Sequence, residues 1–319
     1  MALRFTAVLE PARSLYEQIA ALSPENPFVT YDFSLVRTEL GSVPLAFTLD
    51  EAGQIVSGCL AFLTRGRLNT RLEIISLPRI TDKDVFWEGV FSYCRENSIT
   101  SLDIETFASV FSDLPNSPGP VLSHERVEFR IDLTALDLWS LLNRRHRRMV
   151  TRAREAGLIL RKCTGPEAIA AHVDLANLSL NRLRQRGERV DSVIRGREVE
   201  LSLQHGVGDL YQAFRNDELM GTLFAAKSRT GAYAQSSGSS DGGRELGASH
   251  FLFFEVARCL KDEKKEVFNI GGVEARTSGL AEFKRGFGAK EIKLQAAEYY
   301  LGGPLRRMVT NAKAILVGS

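Results

Sequence analysis

The stretch Phe268-Asn-Ile-Gly-Gly-Val-Glu-Ala-Arg-Thr-Ser-Gly-Leu-Ala-Glu-Phe-Lys-Arg-Gly-Phe-Gly288 decides how this 319-residue chain reads. A short apolar strand, 267–270, runs into the paired glycines Gly271 and Gly272. A polar loop follows, with Glu274, Arg276, Thr277 and Ser278. After Gly279 a short helical run carries Lys284 and Arg285 between Phe283 and Phe287. Paired glycines after a strand let a backbone approach a ligand closely. N–H groups at a helix start attract anions, and a lysine and two arginines nearby deepen that attraction. A strand, a turn and a solvated helix would leave the same pattern, so both readings stand at this point.

Composition narrows the field. The apolar share is 44% and the charged share 25%, which suits a globular protein with its own core. The length allows two domains. No stretch approaches the roughly 20 apolar residues of a membrane helix. Arg4 and Glu10 interrupt any secretory apolar run at the N-terminus, so a cytoplasmic protein is expected. Cys59, Cys94, Cys163 and Cys259 are far apart and the five histidines are scattered, so neither disulfides nor a metal site is expected. No Gly-x-Ser-x-Gly elbow is present. A net charge of +2 does not make the whole chain a polyanion binder. Locally the balance differs: Arg144, Arg145, Arg147, Arg148, Arg152, Arg154, Arg161 and Lys162 face one acid, Glu155.

In chain order the patterns predict helices at 12–22 and 28–40, a hairpin of strands 44–49 and 54–64, and a strand at 70–77. A helix at 84–97 with Asp84 as cap and a strand at 101–105 follow. The second half predicts a strand at 127–133, a long basic helix at 136–156 beginning near Thr134, and a strand at 158–163. Then come a helix at 166–187, a polar arm, three strands within 209–237, a helix at 249–261, a strand at 267–270, and a last strand at 290–301. A terminal helix is expected at 304–316. The order strand–strand–strand–helix–strand occurs twice. Ala46-Phe47, Asp50-Glu51 and Gly58 match Ala213-Phe214, Asp217-Glu218 and Gly221, and Cys94 and Leu102 match Cys259 and Val267. This predicts a duplicated α/β (α+β) fold, with two similar domains, each a mixed sheet flanked by helices.

Arg244-x-x-Gly247-x-Ser249, before a helix, resembles the Arg/Gln-x-x-Gly-x-Gly/Ala loop of the GNAT acyltransferases. In that family the loop cradles the pyrophosphate of coenzyme A. An ordinary capped helix start, with Ser249 as cap, is the competing reading. The run Asn269-Ile-Gly-Gly272 followed by Gly279-Leu-Ala-Glu-Phe-Lys284-Arg-Gly-Phe287-Gly288 looks like the ending of FemAB-like acyltransferases. Arg148, Val150, Ala153 and Gly157 resemble a basic segment of the same family, and Asn26-Pro-Phe28 its opening. The resemblance covers roughly 26–301. It implies two tandem GNAT-like domains, here 1–135, with 302–319 as a candidate completing segment, and 136–301, which carries the catalytic stretch. It also implies an acceptor cleft between them.

Characterised members of that family move an amino acid from aminoacyl-tRNA to an amine of a cell-wall precursor, and other relatives use acyl-CoA. The resemblance therefore implies acyl transfer to an amino group of a peptidoglycan or polysaccharide precursor. It implies no permanently bound cofactor, and a donor that is aminoacyl-tRNA or acyl-CoA. Lys284 is the first candidate for charge stabilisation, with Asp241 and Glu274 as proton acceptors. Asn269, Gly271, Gly272, Arg276, Ser278, Phe283 and Arg285 are candidates for substrate binding. Arg244, Gly247, Ser249, Arg148 and Arg152 are candidates for donor phosphates. The basic helix, 144–162, could meet tRNA phosphates, a pyrophosphate or anionic lipid headgroups. A different class of protein remains open: a non-catalytic GNAT-like binder of nucleotide sugars or RNA.

Overall fold

A computed structural model describes residues 3–67, 69–115, 119–187, 193–274 and 278–303, with the side chains of Glu274 and Ser278 outside what it describes. Two compact units emerge. One comprises 1–23, 28–126 and a C-terminal segment from Leu294. The other comprises 24–27 and 127–293.

The first unit runs β1 (Arg4–Leu9), α1 (Arg13–Leu22), α2 (Tyr31–Glu39), β2 (Val43–Glu51), β3 (Gln54–Arg65), β4 (Thr70–Ile74), α3 (Lys83–Glu96) and β5 (Ser101–Ile104). Its sheet is antiparallel from β1 through β4, and β5 joins β4 in parallel. Strand β2 reads as a continuous apolar run because both faces are buried: Leu45, Ala46, Phe47 and Leu49 are all fully buried. Helix α3 places Phe86, Trp87, Val90, Phe91 and Cys94 on the sheet. Its cap is Asp82, whose carboxylate accepts the Asp84 and Val85 amides at 3.1 Å, and not Asp84 as expected.

The chain continues through β6 (Leu122–Asp132), α4 (Leu138–Leu141), α5 (Arg144–Glu155), β7 (Ile159–Cys163), α6 (Pro166–Gln185) and α7 (Gly196–Gln204). Then follow β8 (Gly208–Arg215), β9 (Glu218–Lys227), β10 (Gly231–Ser239), α8 (Asp241–Leu246), α9 (Ala248–Asp262), β11 (Val267–Glu274), α10 (Ser278–Arg285) and β12 (Lys290–Tyr300). Strands β7 to β10 are antiparallel neighbours in order, and β11 joins β10 in parallel, which reproduces β1 to β5. Each series is finished by a strand from elsewhere in the chain: β12 beside β5, and β6 beside β11.

That exchange moves the domain boundary. The expected division at 135/136 gives way to one inside β6, between Arg126 and Val127, and another inside β12. The segment completing the first unit begins at Leu294, because β12 pairs Ala297 to Tyr300 with β5, earlier than the expected 302–319. Residues 304–319, and the helix expected there, lie outside the described residues.

The duplication holds at the level of elements, and Cys94 and Cys259 occupy the same position counted from the starts of α3 and α9. The residue match at the hairpins does not hold. In the first copy the turn is Ala52-Gly53, after Asp50-Glu51. In the second copy Asn216 and Asp217 are themselves the turn, both left-handed at φ 48 and 63.

The expected helix 136–156 is broken. Asp137 caps the short α4, Asn143 caps α5, and Thr134 bonds Asp132 instead. The expected polar arm contains α7, with Val199 and Leu201 buried, and β1 arises from a segment in which no strand was expected.

Helix α6 is tied to its sheet by His172, which is fully buried. Its Nδ1 meets Thr222 Oγ1 of β9 and its Nε2 meets Ser236 Oγ of β10, both at 2.8 Å. Burial pushes its pKa down to about 4. His250 on α9 is also held down to about 4, first by burial and then by the charges of His146 and Arg145. In the unfolded chain both would take a proton near the usual 6.5 or so. Folded pKa values below unfolded ones mean that stability is full above about 6.5 and is lost as pH falls towards 4. For His172 that loss is on the order of 3 kcal/mol. Urea unfolding at a series of pH values should show it, and His172→Gln should flatten the slope by close to one proton. An unchanged slope in the variant would contradict this origin.

Candidate functional site

The site forms where two parallel strands part. The β10–β11 ladder pairs Gly231 to Tyr233 with Val267 to Asn269 and stops there, while β10 continues to Ser239 and β11 to Glu274. A bulge between Ala234 and Ser236 marks the departure on β10. On β11 it is marked by Gly271, at φ 80. A Cβ there would lie 3.3 Å from Lys284 Nζ and 3.4 Å from Ala234 O, so glycine serves both the backbone angle and the room.

Lys284 points from α10 into this region and is only 6% exposed. Its ammonium donates to Ile270 O at 2.7 Å and Gly272 O at 3.0 Å, two carbonyls just past the last paired residue of β11. Its Nζ lies 5.8 Å from the Phe129 ring centroid. A buried ammonium is tolerated when oxygens replace its water.

The helix that carries it is clamped. His146 Nε2 meets Phe283 O at 2.8 Å, the residue before Lys284, and the Asn143 amide donates to Gly286 O at 2.9 Å. Since a carbonyl only accepts, Nε2 carries the hydrogen. Burial pulls the His146 pKa down. Phe283 and Phe287 pack edge to face against each other at 5.1 Å and around His146, which is 4.6 Å from Phe287.

Behind the parting point is a carboxylate that the sequence did not flag. Glu128 on β6 is fully buried. It accepts from Tyr233 O–H of β10 at 3.1 Å and from Asn269 Nδ2 of β11 at 2.7 Å. Asn269 Oδ1 in turn accepts the Gly271 amide at 2.9 Å. One buried acid thus orients the two side chains at the divergence and, through Asn269, the glycine that lines it.

The predicted residues divide accordingly. Lys284, Asn269, Gly271 and Gly272 come together. Phe283 is a packing residue of the aromatic cluster. Arg285 is exposed and paired with Glu291. Asp241 is exposed at the start of α8, where Arg182 at 2.8 Å and Arg244 at 3.6 Å hold its carboxylate, which leaves it no role as a proton acceptor beside Lys284.

The expected pyrophosphate loop is helical: Arg244 belongs to α8, and Gly247, at φ 83, joins α8 directly to α9 as its N-cap, in place of Ser249. A Cβ on Gly247 would meet Met149 O of α5 at 2.9 Å, so its glycine is accounted for by packing. Ser249 bonds Ser239 Oγ at 3.2 Å. Arg148 and Arg152 lie on α5 with Arg144, Arg145 and Arg147, on the side opposite the buried His146, Val150 and Ala153. These five guanidinium groups are exposed and have no ion-pair partner among the described residues. Arg154, Arg161 and Lys162, by contrast, pair with Glu255, Asp217 and Asp209. Arg276 and the side chains of Glu274 and Ser278 lie outside the described residues, and no cluster of metal-ligating side chains occurs among those described.

A parallel pair that splays at a bulge, following an antiparallel meander, occurs in solved structures. FemX is similar over 95% of this chain and 99% of its own, with a TM-score of 0.69 at 10% identity. The chain has the FemAB-like tandem GNAT fold. A tandem GNAT protein from the clavulanic acid biosynthesis pathway is similar over 95% of this chain and 99% of its own, with a TM-score of 0.57 at 14% identity. So is a domain from Agrobacterium fabrum assigned to lysylphosphatidylglycerol synthetase, over 96% and 98%, with a TM-score of 0.56 at 14% identity. No protein-family model matches the chain, and no curated protein matches it. At such identities the tandem GNAT likeness is one of fold.

The clamp on α10 is directly testable. A Cβ on Gly286 would fall 2.0 Å from the buried His146 ring, whereas one on Gly279 meets nothing within 4 Å. Gly286→Ala should lower stability by about 1–3 kcal/mol. Gly279→Ala, inside α10, should leave it unchanged or raise it by up to about 1 kcal/mol. Equal melting temperatures for the two variants would argue against the clamp.

Proposed function

We propose that this protein is an acyltransferase that moves an aminoacyl or acyl group from an activated ester or thioester to the amino group of a cell-envelope precursor. The observation that carries the reading is the buried Lys284 ammonium at the parting of β10 and β11, within a tandem GNAT fold. In this reaction the amine nitrogen attacks the donor carbonyl. A C–N bond forms, the C–O or C–S bond to the carrier breaks, and the proton lost by nitrogen ends on the leaving oxygen or sulfur. Negative charge builds first on the carbonyl oxygen and then on the leaving atom. An ammonium fixed by backbone carbonyls needs no reorganisation to meet that charge, which is where electrostatic catalysis is most effective. Glu128, Tyr233 and Asn269 act as positioning residues, because they fix the strand backbone around Gly271.

For the donor, the five unpaired arginines of α5 favour a polyanionic carrier, an aminoacyl-tRNA. The packing of Gly247 against Met149 and the pairing of Arg244 with Asp241 speak against a pyrophosphate cradle for coenzyme A. FemX and the lysylphosphatidylglycerol synthetase domain share the fold, and their names point to the cell envelope as the place to look for an acceptor.

Lys284→Met should lower kcat far more than it raises KM, by roughly the 100-fold or more typical of losing one stabilising donor. Unchanged kcat in a folded variant would remove Lys284 from the chemistry. For the donor, calorimetry with charged tRNA should show binding that weakens with salt and is lost in the triple variant Arg144→Glu, Arg148→Glu, Arg152→Glu. Binding of coenzyme A without binding of tRNA would overturn the tRNA assignment.

A further inference from the structure

A second concavity lies apart from Lys284, on the face of the sheet that α6 and α7 cover. It is a pocket of about 270 Å³, open to solvent on one side, and its lining includes Arg195, Glu198, Val199, Phe224, Gln235 and Ser236. Gln235 is the bulged residue of β10, skipped by the register between Ala234 and Ser236. A bulge re-aims a side chain, and this one sends the Gln235 amide to α7.

The polar groups of the lining have an uncommon balance. Gln235 Nε2 donates to Glu198 Oε1 at 3.2 Å, and Gln235 Oε1 is buried with no partner. The amide cannot be turned round to relieve this. An ionised Glu198 only accepts, so the NH2 group must face it and the carbonyl oxygen must face away. An orphaned buried acceptor costs about 1–3 kcal/mol.

Ser236 adds a second acceptor. Thr222 Oγ1 donates to Tyr211 O at 3.5 Å, which leaves its lone pair to take the His172 Nδ1 hydrogen. His172 Nε2 is then bare and takes the Ser236 hydroxyl hydrogen, so the Ser236 oxygen presents lone pairs. The pocket wall therefore offers Glu198, Gln235 Oε1 and Ser236 Oγ, three acceptors with one negative charge, and the imidazole behind them is uncharged at neutral pH.

We propose that this pocket binds a primary ammonium group. Three acceptors match the three N–H donors of such a group, and the carboxylate supplies its counter-charge. Val199 and Phe224 line the pocket for the carbon chain that carries it. Arg195, also in the lining, complements an anionic group on the same molecule. The assignment deepens the acyl-transfer reading and takes its role from it: the occupant is the acceptor amine, held one residue beyond the strand that parts from β11. The binding claim itself does not depend on turnover.

The test is ligand-observed NMR with the full-length protein, using n-butylamine and L-lysine as probes and tetramethylammonium, which has charge but no N–H, as control. Both primary amines should show saturation transfer and the control should not. Glu198→Gln, which keeps the shape and removes the charge, should weaken binding at least about tenfold, equivalent to about 1.4 kcal/mol. Gln235→Leu should weaken it similarly with no fall in melting temperature, because the wild-type oxygen has no partner to lose. Binding of the control as strong as that of the amines, no binding of any amine at millimolar concentration, or wild-type affinity in both variants would each overturn the proposal. Amine binding without acyl transfer would leave the pocket standing and remove the proposed reaction. Transfer with no effect of either variant on amine affinity would do the reverse.

Discussion

The second unit depends on how it houses one charge. An ammonium at 6% exposure must find oxygens to replace water, and Lys284 finds the carbonyls of Ile270 and Gly272. Those carbonyls lie on β11 just beyond its last residue paired with β10. The parting of the strands, the left-handed Gly271 and the docking of α10 are therefore one arrangement. Moving any of them would strip the ammonium of its acceptors.

Around that charge the supports come from distant parts of the chain. His146 and Asn143, at the start of a helix whose outer face is arginine, hold Phe283 O and Gly286 O on either side of Lys284. Glu128, from a strand that precedes the rest of the unit in sequence, holds Tyr233 and Asn269. The apolar surroundings, Phe129, Phe253 and Phe287, lower the local dielectric and so strengthen each of these polar contacts. The same strand β10 bulges at Gln235 and presents its next side chains to α6 and α7. One strand thus serves a cationic site with one stretch and an acceptor-rich pocket with the next.

Some expectations failed for physical reasons worth separating. The pyrophosphate loop was inferred from glycine spacing, but a glycine is equally required where another backbone presses in, as Met149 O does at Gly247. The proton-acceptor role of Asp241 was inferred from its place in a polar segment, and Arg182, from a helix remote in sequence, holds that carboxylate. The long basic helix was read through a break that local pattern does not show. Asn143 ends one helix and caps the next because its amide is wanted by Gly286 O, a contact across the fold.

By itself the sequence determined the element order, the duplication and the importance of Lys284 between Phe283 and Phe287. These follow from periodicity, turn chemistry and spacing, which are local properties of the chain. Tertiary structure decided the exchange of β6 and β12, since an apolar strand does not name its neighbour. It also decided which charges matter. Glu128 alternates with Phe129 and Ile131 and reads as a solvent-facing residue, yet neighbouring strands bury it completely. Gln235 looks like any polar strand residue until a bulge in the pairing turns it inward. Burial and register are properties of the partners a strand acquires, and only the folded chain specifies those.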